Sequence, residues 1–176
     1  MYEPSGEASA KSIRIDSALL DILEEEADAR NLSVNAFIES ILTTYVIHHR
    51  HLESYPHVII NNEILRMFQE EIDEGRIEEI GRELGRRIPR GYLLMRGIVP
   101  THESVIKVLR ENYSKGSSLF ELHIHDQGKQ KILHCTHRNG IKWSRFLVGY
   151  VEEMFRSLLD VDIITEYTDS YVTFTI

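Results

Sequence analysis

The sequence has little cysteine, little positive charge and no long apolar run, and each shortage excludes a class of protein. The single cysteine, Cys135, excludes an intramolecular disulfide and a cysteine-rich zinc cage. No apolar run approaches the ~20 residues of a membrane-spanning helix. The opening MYEPSGEASAKS lacks the apolar stretch of a signal peptide, so we expect a cytoplasmic protein that is not inserted in a membrane.

Motifs of the common enzyme classes are also missing. The chain has no phosphate-binding glycine loop, no HExxH and no GxSxG. We therefore predict that it is not an enzyme. With 42% hydrophobic and 27% charged residues, the composition is that of an ordinary folded protein.

Positive charge is scarce, above all near the N-terminus. The net charge is −8, from 20 Lys and Arg against 28 Asp and Glu. Residues 1–54 hold four basic and ten acidic residues, and residues 55–176 hold sixteen and eighteen. Non-specific binding to nucleic acid depends on many basic residues. Any binding to DNA must therefore rest on a few specific contacts.

The N-terminal segment changes pattern at residue 11. Residues 1–10 are small, polar and aperiodic, and we interpret them as a flexible arm. Residues 11–16, KSIRID, alternate apolar and polar, with Ile13 and Ile15 on one face. This alternation predicts a short strand.

Two amphipathic helices are predicted after this strand. Asp16 or Ser17 can cap the first, and Asn31 can end it in a left-handed conformation. Ser33 can cap the second, which we extend to about residue 54. One strand and two short helices bury too little to fold alone. We therefore expect a two-fold dimer with paired strands and a core shared by four helices.

This succession resembles a known family. Residues 11–47, KSIRIDSALLDILEEEADARNLSVNAFIESILTTYVI, resemble the ribbon-helix-helix DNA-binding repressors in the strand, the LLxxL helix opening and the NLSVNA turn. The resemblance implies an intertwined dimer, formed by residues 11–54, whose paired strands enter the major groove of double-stranded DNA. It implies that the DNA-binding residues are Lys11, Ser12, Arg14, Ser33, Val34 and Asn35.

Each of these residues has an expected role. Ser12 and Arg14 would face base edges, with Arg14 able to bind guanine through two hydrogen bonds. Lys11 would contact a phosphate. The Ser33 hydroxyl and the backbone N–H groups of Val34 and Asn35 would hold a phosphate at the start of the second helix.

Residues 55–176 predict an α+β domain with an antiparallel sheet and helices, acting in sensing or assembly. Helical patterns come first, followed by the order ββαββ. Residues 91–99, GYLLMRGIV, fit either a strand or a buried helix, and a strand there would allow a ferredoxin-like sandwich. This half is similar to uncharacterised output domains of archaeal regulators.

Histidines in the first predicted hairpin suggest a metal site. His123 and His125 share a strand face, and a turn at residues 128–129 would place His134 opposite His123. Three imidazoles suit zinc, nickel or copper. The LHIH segment also resembles the nickel-responsive ribbon-helix-helix repressors, which implies a metal-responsive repressor with a transition metal as its cofactor. We nevertheless expect no metal and no other cofactor, with these histidines on the solvent-exposed face of the sheet, and the metal site is the alternative.

A second polar cluster lies at the start of the last predicted helix. In the run HRNGIKWSRF, Trp143 with Lys142, Ser144 and Arg145 could hold an anionic ligand at the helix N-terminus. The alternative is that Trp143 anchors the helix on the sheet.

The sequence thus favours a homodimeric transcriptional regulator that binds a specific DNA site. A dimer of dimers is also possible. Two alternatives remain open. One is the metal-responsive repressor. The other is an assembly protein that uses the N-terminal fold to dimerise without binding DNA, which the negative charge of residues 1–54 would allow.

Overall fold

The computed structural model describes residue 6 and residues 9–50, 60–128 and 130–176. The chain divides into two compact units, Met1–His57 and Val58–Ile176. The interpretation of residues 1–10 as a flexible arm, and the continuation of the second helix to residue 54, lie largely outside the described residues.

The first unit contains two helices, α1 (Ser17–Ala29) and α2 (Val34–Thr44), and a π-helical turn follows α2 at Tyr45–His49. The Asp16 carboxylate accepts hydrogen bonds from the backbone N–H groups of Ala18 and Leu19, at 3.0 and 3.3 Å. These bonds satisfy two of the N–H groups that a helix leaves unpaired at its start. The predicted cap of α1 is confirmed.

The turn between α1 and α2 is also as predicted. Asn31 has a φ of 55°, in the left-handed region. The N–H groups of Asn31 and Leu32 donate to the carbonyls of Asp28 and Ala27, both at 3.0 Å, which is the Schellman arrangement of a helix end. The Ser33 hydroxyl then accepts from the Ala36 N–H at 3.2 Å and caps α2. Sequence-local hydrogen bonds therefore fix both helix ends.

The strand predicted at residues 11–16 is not formed in this single chain, and the segment carries no regular secondary structure. The reason is physical, because a lone strand leaves its N–H and C=O groups without a ladder partner. The ribbon-helix-helix fold expected for residues 11–54 is therefore not confirmed by this single chain, which shows two helices and no strand at residues 11–16.

The second unit is an α+β domain, as predicted. Its elements are α3 (Asn62–Glu70), α4 (Glu74–Met95), α5 (His102–Val108) with a π-helical continuation at Leu109–Gly116, β1 (Glu121–Gln127), β2 (Gln130–Thr136), α6 (Ile141–Leu159), β3 (Ile164–Tyr167) and β4 (Tyr171–Thr175). Among the described helices, none is both long and apolar enough to cross a membrane.

The sheet has the order β1-β2-β4-β3 with every neighbouring pair antiparallel. The predicted ββαββ order and the first hairpin are confirmed, with Gly128 in the left-handed region at a φ of 71°. One sheet face packs into the core through buried side chains of β2 and β4 and meets the buried face of α6. These side chains are Leu133, Cys135, Val172 and Phe174 from the sheet and Leu147, Val151, Met154 and Phe155 from α6.

Helix α4 decides the ambiguous segment at residues 91–99. It continues through Pro89 to Met95, so the alternative of a strand, and with it the ferredoxin-like sandwich, is wrong. Its buried residues recur every fourth position, and Leu93 continues that stripe. They are Ile77, Gly81, Gly85, Pro89 and Leu93.

Helices α4 and α6 pack with their backbones in close approach. A Cβ atom added at Gly81 would lie 2.3 Å from the Phe146 carbonyl oxygen, and one at Gly85 would lie 2.2 Å from that of Tyr150. From the other side, a Cβ at Gly149 would lie 2.3 Å from the Glu78 carbonyl oxygen. Only glycine fits at these three positions without a backbone shift.

Candidate functional site

The three basic or polar residues expected to face DNA lie in the segment before α1. Lys11, Ser12 and Arg14 are all exposed. Within the described residues, neither Lys11 nor Arg14 takes part in an ion pair. Their charges are therefore available to a partner outside the chain.

The start of α2 carries the other expected contacts. The Ser33 hydroxyl oxygen caps the Ala36 N–H, and the first intrahelical bond runs from the Phe37 N–H to the Ser33 carbonyl at 2.9 Å. The N–H groups of Val34 and Asn35 precede that bond and have no intrahelical acceptor. They point out of the positive end of the helix dipole, where an anion is stabilised. In the described contacts, no hydrogen bond or ion pair joins this end of α2 to Lys11, Ser12 or Arg14.

The first unit exposes most of its apolar side chains. Among the side chains of residues 9–50 whose burial the structure describes, only that of Ala27 is buried. The exposed large apolar residues are Ile13, Leu19, Ile22, Leu32, Ile41, Leu42 and Tyr45. The described part of this unit, residues 9–50, therefore has well-formed helix ends and few buried side chains in a single copy.

The histidines of the first hairpin are paired as the sequence predicts, but they do not form a metal site. His123 is the cross-strand neighbour of His134, whereas His125 lies opposite Ile132. The His134 Nδ1 atom is 2.8 Å from the Thr173 hydroxyl, and its ring lies 5.1 Å from that of Tyr171. No group of three or more His, Cys, Asp or Glu residues in the described part of the chain could hold a metal ion. His123, His125 and His134 are therefore not brought together as such a group in the described part of the chain.

Burial controls the chemistry at the end of β2. It raises the pKa of the Cys135 thiol to about 12, so this cysteine is an inert core residue. Burial also lowers the pKa of His137, and the nearby charge of Asp169 opposes this effect in part. The His137 Nε2 atom lies 3.0 Å from the Ser144 hydroxyl, and its Nδ1 atom lies 3.4 Å from the Asn139 backbone nitrogen. His137 thus ties β2 to the start of α6.

Two cavities flank the loop at residues 137–140, which links β2 to α6. One, of about 570 Å³, extends towards Ser114 and Lys115 of the π-helical segment. The other, of about 590 Å³, lies between α3 and the start of α6, and we call it the α3–α6 cavity. Both volumes fall in the range of sites for small organic ligands.

At the start of α6, Trp143 and Arg145 make packing and ion-pair contacts within the protein. The Trp143 indole donates to the Leu119 carbonyl at 2.9 Å and stacks on Phe146 at 4.7 Å, so it anchors the helix. Arg145 forms ion pairs with Glu74 and Glu78 of α4, at 3.0 and 3.7 Å. Trp143 and Arg145 are therefore structural residues and do not line the cavity.

Lys142 and Ser144, the other two polar residues at the start of α6, lie closer to the cavity. Lys142 lines the α3–α6 cavity and donates to the carbonyls of Gln69 and Glu70, at 3.0 and 2.8 Å. Ser144 bonds to His137 and to the Thr168 carbonyl. Sequence reasoning missed Gln69 and Arg66, which come from a helix some seventy residues earlier in the chain.

Comparisons with protein families, with curated proteins and with solved structures find no match for this chain. Two surfaces in the described part of the chain present polar groups that a partner or a ligand could contact. The first is the N-terminal segment together with the start of α2. The second is the α3–α6 cavity.

Proposed function

We propose that this chain is a homodimeric transcriptional regulator that binds double-stranded DNA through its N-terminal unit. The observation that carries the proposal is the exposure of large apolar side chains in that unit, where Ala27 is the one buried residue among the described side chains of residues 9–50. Its helix caps and turn are nevertheless complete. Defined helices that leave their apolar side chains exposed favour a partner that covers them.

A second copy of the same unit is the partner that fits. In a two-fold dimer the 11–16 segments pair as antiparallel strands, which satisfies the N–H and C=O groups that one chain leaves unpaired. The apolar faces of four helices then close over a common core. Ile13 is 63% exposed and Leu42 is 58% exposed in the single chain. Burying each such side chain fully contributes ~1.5–3 kcal/mol.

Base recognition in this proposal belongs to the outer face of the paired strands. In this proposal Arg14 makes two hydrogen bonds to a guanine, a contact worth ~1–3 kcal/mol of discrimination between bases. Ser12 adds a weaker, adaptable contact, and Lys11 neutralises a phosphate. The small number of basic residues predicts a shallow dependence of affinity on salt concentration.

Phosphate binding at the start of α2 fixes the position of the dimer on the duplex. The unpaired N–H groups of Val34 and Asn35 and the Ser33 hydroxyl, which can still donate, converge on one phosphate oxygen in this arrangement. The second unit serves as a sensor or assembly domain. A dimer of dimers on adjacent sites would offset the low positive charge of each N-terminal unit.

The test is selection of sites from a pool of random duplexes by the full chain and by two variants. Arg14→Ala should weaken binding to the selected site by ~1–3 kcal/mol for each half-site and relax the preference at one base pair in each half-site. Arg14→Lys keeps the charge and loses the two-hydrogen-bond geometry, so it should lose the base preference and retain phosphate attraction. Arg110→Ala, an exposed arginine of the second unit, is the matched control and should select the same two-fold-symmetric site.

The negative charge of residues 1–54 favours one competing function, that of an assembly protein that only dimerises. Failure of the wild-type chain to enrich any duplex, with dimerisation intact, would establish this alternative in place of DNA binding. Enrichment that is equal for wild type and Arg14→Ala would retain DNA binding and remove Arg14 as the base-reading residue.

A further inference from the structure

The α3–α6 cavity lies at the open N-terminus of a long helix. Helix α6 runs for 19 residues, and its N-cap residue is Gly140, which provides no side-chain hydrogen bond. The first N–H groups of α6, from Ile141 and Lys142, precede the bonds that the Trp143 and Ser144 N–H groups make to the Gly140 carbonyl. Ile141 and Lys142 both line the cavity. Unpaired N–H groups and the helix dipole together favour a negative charge at this point.

An independent feature of the same cavity is the buried amide of Gln69. This side chain lines the cavity and is only 5% exposed. Neither its Nε2 nor its Oε1 atom has a hydrogen-bond partner within the described residues. A buried amide without partners destabilises a fold, and native proteins keep such groups where they serve a purpose. A ligand in the cavity that reaches this amide would supply the hydrogen-bond partners that it lacks.

The charged residues around the cavity define the size of the ligand. Arg66 and Arg138 are exposed at its edge, and neither makes an ion pair within the described residues. Glu70 and Asp169 also line the cavity. These two carboxylates would repel an extended polyanion such as a nucleic-acid backbone. A compact anion can approach the two arginines and the start of α6 while staying clear of both carboxylates.

We propose that the α3–α6 cavity binds a small organic anion through a carboxylate or phosphate group. The acidic group accepts hydrogen bonds from the Ile141 and Lys142 N–H groups and pairs with Arg138, which lies in the loop that leads into α6. Gln69 bonds to a polar group elsewhere on the same ligand. Lys142 contributes charge at the site while its ammonium group holds the C-terminal carbonyls of α3. This site is independent of DNA binding by the first unit.

The experiment is an NMR titration of the ¹⁵N-labelled full chain with inorganic phosphate and, separately, with citrate. Sodium chloride of equal ionic strength is the control for screening. We expect saturable shifts of the amide signals of Gly140, Ile141 and Lys142 with at least one of the two anions and not with chloride. A saturable shift with phosphate alone would indicate a phosphorylated ligand. A saturable shift with citrate alone would indicate a carboxylate ligand. If neither phosphate nor citrate gives a saturable shift, the proposal is overturned.

Variants of the lining residues test the assignment of the site. Arg138→Ala should raise the dissociation constant about tenfold, the value of one hydrogen bond to a charged group. Glu70→Gln should lower it, because a repelling carboxylate is removed. Arg110→Ala is the matched control and should change nothing. Equal affinity in wild type, Arg138→Ala and Glu70→Gln would place the anion elsewhere and overturn the proposal.

Gln69→Leu separates binding from folding. It replaces an unpaired buried amide with an apolar side chain of similar size, so the unliganded melting temperature should stay the same or rise. Citrate affinity should fall, because the ligand loses its partner in the cavity. A lower melting temperature with unchanged citrate affinity would show that Gln69 is structural and contradict its role in the site.

Discussion

At the scale of single residues, the chemistry of the second unit is set by which side chains are buried. Histidine 137 lies where β2 ends, between the Ser144 hydroxyl and the Asn139 N–H, and it faces Asp169 in the β3–β4 turn. Burial favours its neutral form. The neutral ring acts as a hydrogen-bonding link between the sheet and α6, and protonation would disturb that link.

This burial predicts a dependence of stability on pH. The unfolded chain has an ordinary histidine pKa near ~6.5, whereas the folded pKa of His137 is lower. Below about pH 6.5 the unfolded state therefore binds a proton that the folded state does not, and the free energy of unfolding falls as pH falls towards the folded pKa. Urea unfolding at pH 7.5 and 5.5 measures this difference.

The variant His137→Asn should reduce the loss of stability between those two pH values, since it removes the titrating ring. His102→Asn, at an exposed position in the first turn of α5, is the control and should keep the wild-type difference. An identical pH difference in wild type and His137→Asn would contradict the assignment.

At the scale of elements, the α4–α6 pair is the main contact of the second unit, and three glycines set its distance. Gly85→Ala forces a methyl group to 2.2 Å from the Tyr150 carbonyl oxygen and must separate the helices. We expect a loss of ~1–3 kcal/mol or more in the free energy of unfolding. In an open helical position the same change stabilises, because alanine has the higher helix propensity.

Gly91 of the same helix provides the matched comparison. Nothing lies within 4 Å of a Cβ added there, so Gly91→Ala should raise the free energy of unfolding by up to ~1 kcal/mol. Chemical denaturation of both variants checks the opposite signs. A stabilising Gly85→Ala would show that the two backbones are not in close contact.

Sequence periodicity predicted the first hairpin accurately, but it did not show which side chains of α3 are buried. The hairpin with His123 opposite His134 was predicted in register, because the turn at Gly128 fixes the pairing. In α3, by contrast, the apolar side chains of Ile64 and Phe68 are exposed and the polar side chain of Gln69 is buried. A periodic stripe shows which residues share a face. It does not show which face the rest of the chain covers.

At the scale of the whole molecule, the proposed function depends on dimerisation of the first unit. Leu42 is exposed on α2, in the apolar face that a second copy would cover. Leu42→Asp would place an unpaired carboxylate in that shared core, at a cost of several kcal/mol. Sedimentation equilibrium should show a dimer for the wild-type chain and a monomer for this variant.

Ser40→Asp introduces the same charge at an exposed polar position of α2 and should leave the dimer intact. A dimer that persists in Leu42→Asp would place the contact between copies outside this face. A wild-type chain that is monomeric at micromolar concentration would remove the basis for paired strands, and with it the proposed mode of DNA reading.

The sequence by itself determined the features that depend on near neighbours. The Asp16 and Ser33 caps, the left-handed Asn31 and the order of the second unit follow from hydrogen bonds and periodicities that span a few residues. The tertiary structure decided what depends on distant residues. It extended α4 through residues 91–95, placed the His134 ring beside the Thr173 hydroxyl, and brought Gln69 to the cavity at the start of α6. The physical reason is that burial and partner choice depend on packing between elements, which no local pattern encodes.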